Sequence, residues 1–162
     1  MTNTIIQFKR LLRFSGIFNI VGAFMFIIPH AYESYLSFFN QLNTLVGLGG
    51  KNISTPTDIF HTLFINTAGI DLVLIGSIIL LVSRNPLDRI NRGIILANGI
   101  GRSIFAVIIT YYAINNGLIQ ILVVIGAIDF FITLGFIYYL HKTKSAVNKD
   151  VSYSVLPFSN LD

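Results

Sequence analysis

The 162-residue chain contains no cysteine. That absence excludes a disulfide scaffold, a thiolate-ligated metal site and thiol redox chemistry together. Charge is scarce as well: Asp, Glu, Lys and Arg make up 11% of the residues, against roughly 25% in an average soluble domain. Also missing are an HExxH, a P-loop, a GxSxG and any pair of histidines at the helical spacing that would hold a metal or haem. No metal, no cofactor and no catalytic motif are therefore expected, and no internal repeat is visible.

What the chain has instead is apolar surface. Hydrophobic residues form 54% of it, and the mean hydropathy is +0.74. So short a chain cannot hide that much apolar surface inside a water-facing core, so the bilayer is the expected solvent. Crossing its hydrocarbon takes roughly 20 residues of helix. Four runs qualify, at about residues 11–29, 59–82, 90–112 and 118–140. Their continuity, without polar alternation, argues for helices rather than barrel strands. Ser83-Arg84-Asn85-Pro86 stops the second run by charge and proline, and Asn115-Asn116-Gly117 signals a turn before the fourth. The expected fold is all-α, a single four-transmembrane-helix domain over residues 1–140 followed by a flexible tail from 141 to 162.

Loop charge sets the expected orientation. Lys9, Arg10, Arg13, Arg84, Arg89, Arg92, Lys142, Lys144 and Lys149, nine of the eleven basic residues, fall on one side of such a bundle. Lys51 falls on the other side and Arg102 within a span. The positive-inside rule then puts both termini in the cytoplasm, in the inner (plasma) membrane of the cell. Charges distributed over helix ends also remove any need for a nucleic-acid partner. The first span opens like a secretory signal, but no small-residue cleavage site follows it, only Pro29-His30-Ala31, so it reads as an uncleaved helix. Residues 31–58 form the one substantial external segment. Tyr35, Leu36, Phe39, Leu42 and Val46 lie near helical spacing there and predict a short helix on the membrane surface. Gly47 to Thr57 reads as loop.

Ionisable residues within the spans carry the functional signal. Asp71, Arg102 and Asp129 each lie near the centre of a span, and antiparallel threading brings them to similar depth. Three unpaired charges would oppose insertion by roughly 8–10 kcal/mol, so the expectation is one network in which the Arg102 guanidinium bridges both carboxylates. Asn98 shares the face of Arg102 four residues away. Asn19 falls at midplane depth on a stripe with Ser15 and Gly22, and Thr133 follows Asp129 by four. Gly93, Ala97 and Gly101 form a small-residue ridge suited to close helix approach. His30 and His61 lie near the external mouth, and Asn66 is turned from His61 and Asp71 by about 140°, which directs it to a neighbouring helix. Two uses of the cluster stay open: glue that fixes helix register, and a polar pocket that holds a ligand or passes a proton.

The pattern resembles the small bacterial four-helix membrane proteins of the DoxX-like and BphX-like type. The resemblance rests on Arg13-Phe14-Ser15-Gly16, on Gly22 in mid-helix, on Pro29 at the end of span one and on three further spans with short connections. It implies the four-helix architecture, and for some DoxX-type relatives an association with quinone-linked oxidation, but it carries no quinone-site residues to this chain. The leading expectation is a non-enzymatic, small-ligand-binding or accessory membrane subunit, in a homo-oligomer or a larger membrane complex. The alternatives are an intramembrane oxidoreductase-type enzyme or subunit acting on a quinone- or sterol-like lipid, and an oligomeric small-solute or proton-coupled transporter.

Overall fold

A computed structural model describes residues 2–144. It contains five helices: α1 (Thr2–Ile27), α2 (Ala31–Leu45), α3 (Ile59–Val82), α4 (Arg89–Asn115) and α5 (Ile121–Lys142). Four of them, all but α2, are long and apolar enough to cross a membrane. Beyond Lys144, the tail expected from residue 141 onward lies outside the described residues.

The helix ends follow local chemistry. Pro29 bars α1 from continuing, and His30, at a left-handed φ of 65°, turns the chain into α2. Asp58 caps α3 by accepting the backbone N–H of His61 at 2.9 Å. Asp88 caps α4 by accepting those of Ile90 and Asn91, at 2.9 and 3.1 Å. Each cap satisfies donors that the first helical turn would leave unpaired. Helix α1 begins at Thr2, ahead of the apolar run that opens near residue 11. Phe8 is fully buried and stacks on Tyr139 of α5 at 5.3 Å, so the helix covers that ring before the apolar run begins. At the other end of the bundle α5 starts at Ile121, and the residues before it meet the loop between α2 and α3, Leu118 in a bridge with Lys51 and Gln120 through its N–H to the Gly49 carbonyl.

The spans associate as two pairs, α1 on α3 and α4 on α5. Lipid tails are as apolar as the side chains, so helices gain little from mutual burial and need close backbone contact or polar bonds. Glycine supplies the contact. A Cβ at Gly16 would lie 2.8 Å from the Gly76 carbonyl oxygen, and one at Gly76 equally close to the Gly16 carbonyl, so α1 and α3 touch backbone to backbone. Gly126 gives α5 the same closeness to Ala106 and Ile109 of α4. The expected ridge of Gly93, Ala97 and Gly101 does not serve this purpose. All three are exposed, and Gly93 and Gly101 have nothing within 4 Å of where a Cβ would stand. The ridge lies on the outer face of α4, while Gly99 on the inner face meets Thr133.

All four spans meet in one apolar cluster of Phe8, Leu12, Ile79, Val82, Ile95, Ile132 and Phe136, at the end of the bundle where α1 begins and α5 finishes. Arg92 closes this end, donating to Thr143 Oγ1 at 2.8 Å and to the Leu140 carbonyl at 2.5 Å. At the opposite end α2 lies across α1. Tyr32 is buried, Phe26 meets Tyr35 edge-on at 5.2 Å, and the Tyr32 and Thr62 hydroxyls bond at 3.1 Å. The predicted stripe of Tyr35, Leu36, Phe39 and Leu42 is half-buried, whereas Val46 is exposed because the helix has ended.

Replacing Gly76 with Val would force a branched side chain between two touching backbones. Overpacking of this kind costs about 1–3 kcal/mol, so Gly76→Val should lower the thermal midpoint of the detergent-solubilised protein by several degrees. An unchanged midpoint would show that α1 and α3 do not meet at Gly16 and Gly76.

Candidate functional site

Arg102 stands at the centre of α4, only 5% exposed, and its guanidinium is engaged on every nitrogen. Nε donates to Asn98 Oδ1, one turn earlier on the same helix, at 3.0 Å. Nη1 donates to Asp129 Oδ1 on α5 in a buried ion pair. Nη2 reaches α1, where it meets the Ser15 hydroxyl at 2.8 Å, the Ser15 carbonyl at 3.2 Å and Asn19 Oδ1 at 2.6 Å. One side chain therefore joins three helices and links the α1–α3 pair to the α4–α5 pair. Thr133 supports the arrangement from behind, donating to the Gly99 and Asp129 carbonyls, each at 3.0 Å. Among the described residues no buried side-chain nitrogen or oxygen lacks a hydrogen-bond partner.

The geometry follows from helical spacing. Asn98 and Arg102, four residues apart, share one face, and Ser15 and Asn19 do the same on α1. The charges balance, one guanidinium against one carboxylate. In hydrocarbon such a pair is tolerable because each member removes the other's need for water. Chemically the cluster is closed: each guanidinium nitrogen is hydrogen-bonded to a protein acceptor, so an incoming anion or carbonyl would have to displace one.

Asp71 does not belong to this network, which corrects the expected Asp71–Arg102–Asp129 arrangement. Its depth agrees, but its direction does not. On an ideal helix Asp71 is turned by about 140° from Gly76, the residue that touches α1. Asp71 is exposed and takes part in none of the three ion pairs among the described residues.

His30, His61 and Asn66, expected near an external mouth, are placed separately from the Arg102 network. His30 is exposed and lies 3.4 Å from Glu33. His61 forms an ion pair with Asp58, the cap of α3. Bonds from the backbone and side chain of His61 hold the Asp58 carboxyl below the usual carboxylate range. Asn66 donates to the Phe26 and Ile27 carbonyls at 2.9 and 3.3 Å, satisfying the last turn of α1. No group of three or more candidate metal ligands occurs among the described residues.

A second polar centre escaped the sequence reading. Asn43 of α2 is 3% exposed. Its Nδ2 donates to the Leu48 and Gly49 carbonyls at 3.0 and 3.2 Å, and its Oδ1 accepts the Ile121 N–H at the start of α5 at 2.9 Å. Around it the loop between α2 and α3 meets the α4–α5 turn: Lys51 N–H donates to the Gly117 carbonyl at 2.5 Å, and Gln120 N–H to the Gly49 carbonyl at 3.1 Å. The signal was available in the 4-3-4 spacing of Tyr32, Leu36, Phe39 and Asn43, which puts an amide on the buried face of α2.

Two cavities open on the flanks of the bundle. One, of about 600 Å³, runs between α1 and α2 along Ile20, Phe24, Met25, Tyr35 and Phe38. The other, of about 180 Å³, lies between α4 and α5 along Leu96, Ile100, Ser103, Thr133 and Ile137. Both are apolar, and neither is lined by Arg102 or Asp129. No family model, curated protein or solved structure matches the chain. The resemblance to DoxX-like and BphX-like proteins therefore rests on the residues quoted for it alone.

Proposed function

We propose that this chain is a non-enzymatic accessory subunit of the plasma membrane, with both termini in the cytoplasm, whose buried charges hold the bundle together and whose outer faces meet other membrane components. The observation that carries this reading is the closure of the Arg102 network, in which Asn98, Asp129, Ser15 and Asn19 take up its guanidinium. A proton path or a substrate clamp needs a group that can change partners, and these groups are held by one another. The ligand-binding version of the reading has less support, because the cavities beside α1–α2 and α4–α5 are apolar and lined by neither Arg102 nor Asp129. The same placement weighs against a quinone- or sterol-directed reaction at Asp129, since proton transfer requires the substrate within hydrogen-bond reach.

Flux measurements separate this proposal from transport. Wild-type protein inserted in liposomes under an imposed proton gradient should leak no faster than empty liposomes. A flux above background that disappears in Asp129→Asn would overturn the accessory reading in favour of a proton-coupled path.

The absence of cysteine makes the orientation directly measurable, because any introduced cysteine is the single labelling site. Lys51→Cys should react with a membrane-impermeant maleimide added to intact cells, and Arg84→Cys only after the membrane is opened. The opposite pattern would invert the proposed orientation.

A further inference from the structure

Asp71 lies at the midpoint of α3, twelve residues after Ile59 and eleven before Val82. At 1.5 Å per residue that is about 17 Å from either end of the helix. An ionised Asp at that depth costs about 2.5–3.5 kcal/mol when left to hydrocarbon. The two charges at similar depth, Arg102 and Asp129, answer one another; Asp71 is exposed and has no ionic partner among the described residues.

The surroundings of Asp71 are open on one flank. On an ideal helix Asp71 is within about 20° of Val82, and Val82 is buried in the apolar cluster with Ile95 of α4. At mid-depth the same flank is bare, with Ile75 37% exposed.

We propose that this flank is a docking surface for a membrane-spanning helix of another protein that carries a lysine or arginine at mid-depth. Charge complementarity selects that occupant. A base opposite Asp71 forms an ion pair in a medium of low dielectric, where the attraction is far stronger than in water. A second copy of this chain in the same orientation offers no such base at that depth: Arg102 is engaged inside its own bundle, Lys9, Arg10, Arg84, Arg89 and Lys142 stand toward helix ends, and the exposed Arg13 lies three residues to one side of the Gly16–Gly76 contact while Asp71 lies five residues to the other, about 12 Å apart in depth. Ala68, three residues before Asp71 on the same helix, is exposed and small enough for an incoming backbone to come close. The proposal rests on the accessory reading and names the chemistry of its partner.

The test uses the full chain in lipid nanodiscs or liposomes, labelled at Lys51→Cys, with a donor-labelled synthetic transmembrane helix of leucine and alanine bearing one central lysine. Energy transfer should report association at about tenfold lower peptide density than for the same peptide with central leucine. Asp71→Leu and Asp71→Asn should each erase that difference while leaving the thermal midpoint in place, and Asp71→Glu should keep it. Equal association of the two peptides, or a difference that survives Asp71→Leu, would overturn the proposal. Self-association of the chain that is lost in Asp71→Leu would also overturn it, assigning the face to a second copy. Proton flux is a separate readout, so failure of the accessory reading would be distinguishable from failure of this one.

Discussion

The bundle depends on one buried guanidinium. Arg102 is the group that binds α1, α4 and α5 at the same depth, and it does so where water is absent and an unmet donor is costly. The apolar cluster around Phe8 and Phe136 joins the four spans at one end only. Glycine contacts join them in pairs, Gly16 to Gly76 and Gly126 to Ala106. The polar layer is what fixes the two pairs to each other at a defined depth and rotation. Turning α4 by one residue would carry Arg102 about 100° away from Asp129, Ser15 and Asn19, leaving both charges without partners. Buried ion pairs add little net stability over well-packed apolar groups. Their value here is discrimination among registers that apolar side chains in lipid would tolerate equally.

The α2 end of the bundle solves a different problem. There the chain must leave α1, cross it as α2, and return as α3 without stranding backbone groups. Asn66 satisfies the last carbonyls of α1. Asn40 pairs with both backbone groups of Ile53, at 2.9 and 2.8 Å, in the way a neighbouring strand would. Asn43 does the same for Leu48, Gly49 and Ile121. Asn66 thus ties α3 to the end of α1, and Asn40 and Asn43 tie α2 to the loop and to α5, in a region with few strand or helix partners to offer.

Much of this fold is legible in the residues, and the limits have a physical cause. Helix α3 runs from Ile59 to Val82, where a long apolar run bounded by Asp58 and by Ser83-Arg84-Asn85-Pro86 marks its own ends. The start of helix α1 is not marked in this way, since it continues through the polar positions around Phe8, which packs on Tyr139. For the site, depth is readable and rotation is not. Asp71, Arg102 and Asp129 are all mid-span, yet which face of α3 meets α1 depends on Gly69 and Gly76, and those glycines point Asp71 away from Arg102. The glycines of α4 pose the same ambiguity. Gly93 and Gly101 look as suitable for close packing as Gly99, and only the position of α5 decides between them.

The central claim is that Arg102 and Asp129 act as a unit that organises the bundle. A double-mutant cycle with Arg102→Leu, Asp129→Leu and the paired substitution, read as unfolding free energy in bicelles, measures that coupling directly. Each single change leaves a buried charge without its partner and should cost about 3–5 kcal/mol, whereas the pair of leucines should cost less than the two singles combined, with a coupling of about 2 kcal/mol or more. Single effects that add to within about 0.5 kcal/mol would mean that the two residues stabilise the protein independently, and the account would be wrong.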